Sequence, residues 1–148
     1  EPVVTTPAAE PAPKKRGAAN NPYLWGTGRR KTSVARVRIR PGTGKFMVND
    51  RDVDKFFAVE RDRHSVRIPL QVTDTASSVD VFVNVCGGGT TGQAGAVTLG
   101  LARALLRSNS EFVGKLREHR LLRRDPRKVE RKKYGQSGAR KRFQFSKR

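Results

Sequence analysis

The chain has 148 residues, of which 32 are Lys or Arg and 13 are Asp or Glu, and its net charge is +19. This excess predicts a phosphate-rich partner, and the length predicts one domain with tails. No apolar run approaches about 18 residues and no basic helix has a clean apolar face, so a membrane partner is not expected. Cys86 is the single cysteine, and His64 and His119 lie far apart. Neither a disulfide nor a metal site is therefore expected.

Residues 1–21 are rich in Ala and Pro, and we predict an extended or disordered N-terminal extension there. The extension has the composition of neither a secretory signal nor a transit peptide. Lys14, Lys15 and Arg16 leave two interpretations open, a minor RNA-contacting arm or a solvated extension without contacts.

Residues 22–125 are predicted to form the globular domain, which begins with a β-hairpin over residues 23–49. In this prediction the Pro-Gly-Thr-Gly sequence at residues 41–44 is the turn. The chain then returns as a second strand at residues 45–48.

The first predicted strand of this hairpin alternates apolar and basic residues. Ala35, Val37 and Ile39 share one face, and three guanidiniums share the other, those of Arg36, Arg38 and Arg40. A solvated sheet face is the ordinary alternative. Because no acidic residue is interspersed, we expect this row to contact RNA.

The segment just before that strand, residues 26–33, combines two glycines with a basic triplet and hydroxyl side chains. Glycines allow close backbone approach, and basic groups beside hydroxyls suit phosphate. We therefore predict RNA contacts from Arg29, Arg30 and Lys31.

The middle of the chain is predicted to hold two short helices, one at residues 53–59 capped by Asp52 and one at residues 69–73. The clearest strand covers residues 79–85, where valines alternate with other residues. A long helix follows and extends to about Arg107. Its apolar stripe consists of Ala94, Val97, Leu101, Ala104 and Leu105.

Two further helices are predicted towards the C-terminus. Ser110 is the expected N-cap of a helix at residues 111–119. Asp125 is the expected N-cap of a helix at residues 126–133, which Gly135 would end.

A glycine-rich loop between the valine strand and the long helix literally satisfies G-x-G-x-x-G. A dinucleotide cofactor is nevertheless not expected, because no β-branched strand follows the helix and Glu111 lies at a predicted helix start. No nucleoside-triphosphate loop motif occurs, and no other cofactor or small-molecule substrate is expected. The loop could instead receive a phosphate of RNA on backbone N–H groups, those of Gly87, Gly88, Gly89 and Gly92.

Residues 126–148 form a basic C-terminal tail with ten Lys or Arg residues and one acidic residue, Glu130. Its apolar content is too low for a core, so we expect it to become ordered by inserting into RNA. Small residues at 135 and 137–139 would let it bend. Phe143 and Phe145 are expected either to stack on bases or to pack on a neighbouring protein.

With these residues in view, the chain resembles the bacterial type of the ninth-protein family of the small ribosomal subunit. The matching stretches are GTGRRKTSVARV, GGGTTGQAGA, RALL, RRDPRKVERKKYG and FQFSKR, in one order over residues 26–148. The resemblance implies an α/β (α+β) two-layer sandwich with a left-handed β-α-β crossover, like the second domain of ribosomal protein S5. It also implies a structural, non-enzymatic role in translation, in the cytoplasm or in an organelle.

The resemblance further implies the partners. These are 3′-domain rRNA and neighbouring proteins in the head of the small subunit, and P-site tRNA near the tail tip, where Lys147 and Arg148 would approach the anticodon stem-loop. The remaining basic residues of the C-terminal region are assigned to rRNA: Arg123, Arg124, Arg127, Lys128, Arg131, Lys132, Lys133, Arg140, Lys141 and Arg142. Two rivals are an enzyme acting on RNA, which would need a clustered acid pair, a metal set or a His pair, and a free basic RNA-binding module.

Overall fold

The computed structural model describes residues 22–146, which form a five-stranded sheet with helices packed on one face. The strands are β1 Leu24–Arg30, β2 Ser33–Pro41, β3 Phe46–Val48, β4 Arg51–Asp52 and β5 Val79–Cys86. The helices are α1 Val53–Phe56, α2 Glu60–Val72, α3 Thr90–Ser108 and α4 Val113–Glu118, with a 3-10 turn at Ser110–Phe112. The strand order is β1-β2-β5-β3-β4. The mixed α/β fold class is confirmed.

The predicted β-hairpin is wrong in its partners. The segment expected to precede the first strand is itself strand β1, which pairs antiparallel with β2 through a turn at Lys31 and Thr32. The predicted returning strand, β3, pairs instead with β5, in parallel. Pattern alone could not distinguish these pairings, because a strand's partner is chosen by the packing of its two faces.

Strand β1 contains two glycines, which is why the sequence pattern does not predict it as a strand. The packing of α3 against β1 explains why glycine is needed at both positions. A Cβ at Gly28 would lie 1.9 Å from the carbonyl oxygen of Ala96, and one at Gly26 would lie 2.1 Å from that of Gly100. The backbone of α3 therefore approaches the backbone of β1 more closely than any side chain would allow. Glycine weakens a strand's intrinsic preference but permits this contact.

The core lies between the sheet and helices α2 and α3. The predicted inward residues of β2, Ala35, Val37 and Ile39, are at most 2% exposed, and the alternate valines of β5 from Val81 to Val85 are also buried. The predicted stripe of α3 is buried against them. The period-two and period-3.6 patterns therefore predict the buried faces correctly.

Strands β3 and β5 are the one parallel pair among the described strands. The chain between them includes α2, so the two strands and this helix form a β-α-β unit. The chain turns at Asn49 and Asp50 between β3 and β4, and both residues have positive φ, as a two-residue type I′ turn requires. The Asn49 side chain extends the parallel ladder. It donates to the Val85 carbonyl at 3.0 Å and accepts from the Val85 N–H at 2.9 Å.

Helix α2 is longer than predicted, because Pro69 lies inside the helix and does not start it. Pro69 has no N–H for the carbonyl of Ser65, four residues earlier. The Thr98 hydroxyl of α3 shares its single hydrogen between that carbonyl, at 3.1 Å, and the Ala94 carbonyl of its own helix, at 2.9 Å. This shared tertiary contact partly satisfies the group that proline leaves without an intrahelical partner.

Several predicted helix ends also differ. Helix α1 ends at Phe56, and Asp52 makes no capping hydrogen bond there. Asn109 rather than Ser110 caps the next turn, since its side chain accepts from the N–H of Glu111 at 2.9 Å. Cap choice among neighbouring Asn and Ser residues depends on backbone angles that the sequence does not specify.

The helix predicted at residues 126–133 is absent, and the chain there has neither helix nor strand. Helical geometry would place like charges four residues apart, Arg127 with Arg131 and Lys128 with Lys132, and no apolar face would compensate. The side chain of Asp125 does accept the Arg127 N–H, at 3.0 Å, but this bond does not start a helix. The predicted extension at residues 1–21 and the tip residues Lys147 and Arg148 lie outside the described residues.

Gly28→Ala should destabilise the domain by about 3 kcal/mol, because the new methyl group meets the α3 backbone rather than a movable side chain. Urea unfolding followed by circular dichroism measures the change. Gly114→Ala in α4 is the matched control. A Cβ there meets nothing within 4 Å, so this variant should gain about 0.5–1 kcal/mol from helix propensity. Equal stability of Gly28→Ala and the wild type would contradict the close-packing account.

Candidate nucleic-acid interface

The arginines of β2 lie on the sheet face opposite the helices, together with aromatic rings. The guanidinium carbon of Arg38 lies 5.6 Å from the ring centres of both Tyr23 and Phe82. That of Arg40 lies 5.8 Å and 5.2 Å from the same two centres. Such cation–π contacts position planar guanidiniums without neutralising their charge. Arg36 is exposed beside them.

Trp25 extends this surface onto β1, where it is the register partner of Arg38 and is 42% exposed. We call the surface the arginine–aromatic face, defined by Tyr23, Trp25, Arg36, Arg38, Arg40 and Phe82. The sequence pattern predicts its arginines but not its aromatic rings. The sequence gives little indication of these rings, because they come from separate segments that meet only when β1 and β5 flank β2.

No acid interrupts the β2 row, but the neighbouring strand supplies one opposite Arg40. Arg40 Nε donates to Asp80 Oδ2 at 3.3 Å, and the N–H groups of Thr43 and Lys45 donate to Oδ1 at 2.9 and 3.1 Å. These bonds, above all that from Lys45, lower the pKa of Asp80. Arg40 therefore helps to hold the β2–β3 connection, which leaves Arg36 and Arg38 as the unneutralised charges of the row.

The basic triplet lies at the closed end of the β1–β2 hairpin. Arg29 is exposed, and Lys31 occupies the turn with φ +51°. Arg30 is half-buried, and its Nη2 lies 3.2 Å from Asp125 Oδ2. The triplet is thus divided between two exposed charges and one that ties the start of the tail to the sheet.

The glycine loop lies against the same hairpin end. Gly87 and Gly88 have positive φ, and a Cβ on Gly88 would lie 2.2 Å from the Ser33 hydroxyl oxygen. The Gly87 carbonyl accepts from that hydroxyl at 3.0 Å and from Gln93 Nε2 at 3.1 Å. Gly92 is also tight against Ser33, whereas a Cβ on Gly89 would meet nothing within 4 Å. Packing thus explains three of the four glycines without a bound phosphate, and the phosphate contact stays a prediction.

The tail from residue 126 to 146 presents all of its Lys and Arg side chains to solvent. Its aromatic residues Tyr134 and Phe145 are 98% and 99% exposed, and Phe143 is 62% exposed. Gly135 has positive φ, and the N–H groups of Ser137 and Gly138 donate to the Lys141 carbonyl, which forms the predicted bend. Glu130 pairs with Lys133 at 2.8 Å and with Arg140 at 3.0 Å across this bend.

Comparison with known protein families matches residues 28–148 to the family described as ribosomal protein S9/S16. The chain belongs to this family. The resemblance noted from sequence is confirmed, and the chain is a structural, RNA-binding ribosomal protein of the small subunit that takes part in translation. In the part of the chain that the structure covers, no group of His, Cys, Asp and Glu could hold a metal ion. None of the helices described there could span a membrane.

In this S9/S16-family protein, Asp125 anchors the start of the tail. Arg127 donates to both of its carboxylate oxygens, at 3.1 Å from Nε and 3.0 Å from Nη2, and Arg30 approaches from the sheet. The Arg127 side-chain bonds are the largest cause that lowers the pKa of Asp125 to about 2. Because the folded-state pKa lies below the ordinary 3.8, the anchor is complete above pH 3.8 and is lost as the pH falls through about 2.

Arg127→Ala should raise the pKa of Asp125 more than Arg30→Ala does, because Arg30 acts only through its charge. Carboxyl chemical shifts followed by NMR between pH 1 and 6 measure both values. Lys128→Ala is the matched control and should leave the pKa near 2. Equal shifts in all three variants would mean that general positive charge, rather than the Arg127 hydrogen bonds, sets the value.

Proposed function

We propose that the chain binds rRNA through two connected surfaces, the arginine–aromatic face and the basic tail. The observation that carries the proposal is the pairing of a rigid sheet face, whose guanidiniums are held against rings, with an exposed basic arm that has no core. Fixed guanidiniums suit phosphates and base stacking, and a coreless arm gains its order from RNA.

The residues proposed for rRNA contact on the domain are Arg29, Arg30, Lys31, Arg36, Arg38 and Arg40, with Arg30 and Arg40 also holding the fold through Asp125 and Asp80. On the C-terminal side they are the basic residues from Arg123 to Arg142, together with Phe143 and Phe145. Exposure of both phenylalanines leaves base stacking and packing on a neighbouring ribosomal protein as the two possible uses. The glycine loop is a further proposed phosphate contact.

The finer location rests on family resemblance. We place the chain in the head of the small subunit, on 3′-domain rRNA and beside other head proteins. The tip residues Lys147 and Arg148 then reach the P-site tRNA, in cytoplasmic ribosomes of bacterial type or in those of an organelle. Residues 141–146 are exposed and form neither helix nor strand, which is compatible with such a reach.

Replacing Arg36 and Arg38 by Gln should weaken binding to a 3′-domain rRNA transcript. The slope of log K against log [salt] should also become shallower by roughly one to two. Filter binding at several salt concentrations measures the slope. The control variant, Arg51→Gln with Lys55→Gln, removes the same charge from β4, at the opposite edge of the sheet, and from the adjoining α1, and should change the slope less. Equal slopes for the two variants would contradict a role for the arginine–aromatic face.

Removing residues 146–148 should leave unfolding and assembly into small subunits unchanged, but weaken P-site tRNA binding by roughly three- to tenfold through lost phosphate contacts. Reconstituted subunits and filter-bound tRNA give the measurement. A full-length Lys147→Gln, Arg148→Gln variant separates charge from length and should show the same loss. Full tRNA affinity in subunits that contain the shortened chain would refute this role of the tip.

A further inference from the structure

A cavity of about 450 Å³ lies beside the closed end of the β1–β2 hairpin, between α2, the first turns of α3 and the segment that follows α4. Five arginines line it. The sequence pattern predicts RNA contacts for three of them, and the other two are Arg61 and Arg120. Two carboxylates, Asp62 and Asp125, also line it.

The two carboxylates are used differently. Asp125 is paired with Arg30 and Arg127. Asp62 is 2% exposed and accepts one hydrogen bond, from the Thr91 hydroxyl, at 3.3 Å. Over residues 22–146, no Lys or Arg nitrogen lies within 4.0 Å of its carboxylate. A buried carboxylate with a single long hydrogen bond retains acceptor capacity towards the cavity.

Arg120 also occupies an unusual position. It lies just after α4 with φ +54°, and the Leu121 N–H donates to the Leu116 carbonyl at 3.0 Å, which is the Schellman closure that normally carries glycine. A non-glycine residue in this conformation is strained. Glycine would adopt this conformation with less strain, and Arg120 instead places a guanidinium in the lining of the cavity.

We propose that this cavity binds one backbone unit of RNA, with Arg61 and Arg120 on the phosphate and Asp62 accepting the adjoining ribose 2′-hydroxyl. Guanidiniums match phosphate oxygens, and a lone acceptor beside them matches the one donor that an RNA backbone offers. A carboxylate group in the place of the phosphate would not itself supply a donor for Asp62. The assignment rests on the proposed rRNA binding and adds the site and the chemical group that distinguishes RNA from DNA.

The phosphate contact is tested with full-length Arg61→Gln, Arg120→Gly protein and a 3′-domain rRNA transcript. We expect weaker binding with a salt slope shallower by about one, while the unfolding midpoint rises because glycine relieves the left-handed conformation. The control is Arg51→Gln with Lys55→Gln, which should retain more of the wild-type slope. A slope equal to that of the control overturns the site, whereas wild-type protein that fails to bind the transcript refutes the proposed function itself.

The ribose contact is tested with the oligonucleotides r(U)12 and d(U)12. The wild type should prefer the ribose form by roughly tenfold, the ratio expected for one hydrogen bond to a charged acceptor. Asp62→Ala should bring the ratio towards one, while Asp54→Ala, with the same charge change at an exposed site, should leave it unchanged. An unaltered ratio in Asp62→Ala overturns the ribose contact. The Arg61→Gln, Arg120→Gly variant is also compared with the wild type for binding to poly-glutamate. If this variant loses poly-glutamate binding but keeps rRNA binding, the cavity binds an acidic protein and the proposal is overturned.

Discussion

The contact between the backbones of β1 and α3 is the constraint on which the rest of this structure depends. There is no room for a Cβ at Gly26 and Gly28 on the strand or at Gly100 on the helix. The backbones of the two elements therefore pack directly against each other. Arg103 and Arg107 of α3 then donate to the carbonyls of Thr27 and Trp25, at 2.8 and 2.6 Å, and cover the open edge of β1. Because α3 occupies one face of β1 and β2 so closely, the arginines of β2 must all point to the other face.

The few acidic residues near the basic surfaces serve mainly to position basic ones. Asp80 holds Arg40 and the β2–β3 connection, Asp125 joins Arg127 to Arg30, and Glu130 joins the two sides of the bend in the tail. Each carboxylate is held ionised by these bonds. The acids thus organise the basic surfaces without balancing their charge, which leaves the surplus available to phosphates.

The domain and the tail follow opposite physical rules, and both suit a protein of the ribosome. The domain buries alternating valines and an apolar helix stripe, so its arginines have fixed directions. The tail buries almost nothing, and its like charges oppose a helix in the absence of a polyanion. Neutralisation of these charges by phosphates would remove that repulsion.

The sequence by itself determined the periodic elements, the arginine row and the family, because each depends on residues close together along the chain. It did not determine which strands pair, since β1 contains glycines whose purpose is visible only against α3. It did not place Pro69 inside a helix, because the Thr98 hydroxyl that partly satisfies Ser65 comes from another element. The cavity around Asp62, Arg61 and Arg120 was decided by the tertiary structure alone, because its lining comes from segments that are distant in sequence and meet only when α2, α3 and the chain after α4 pack together.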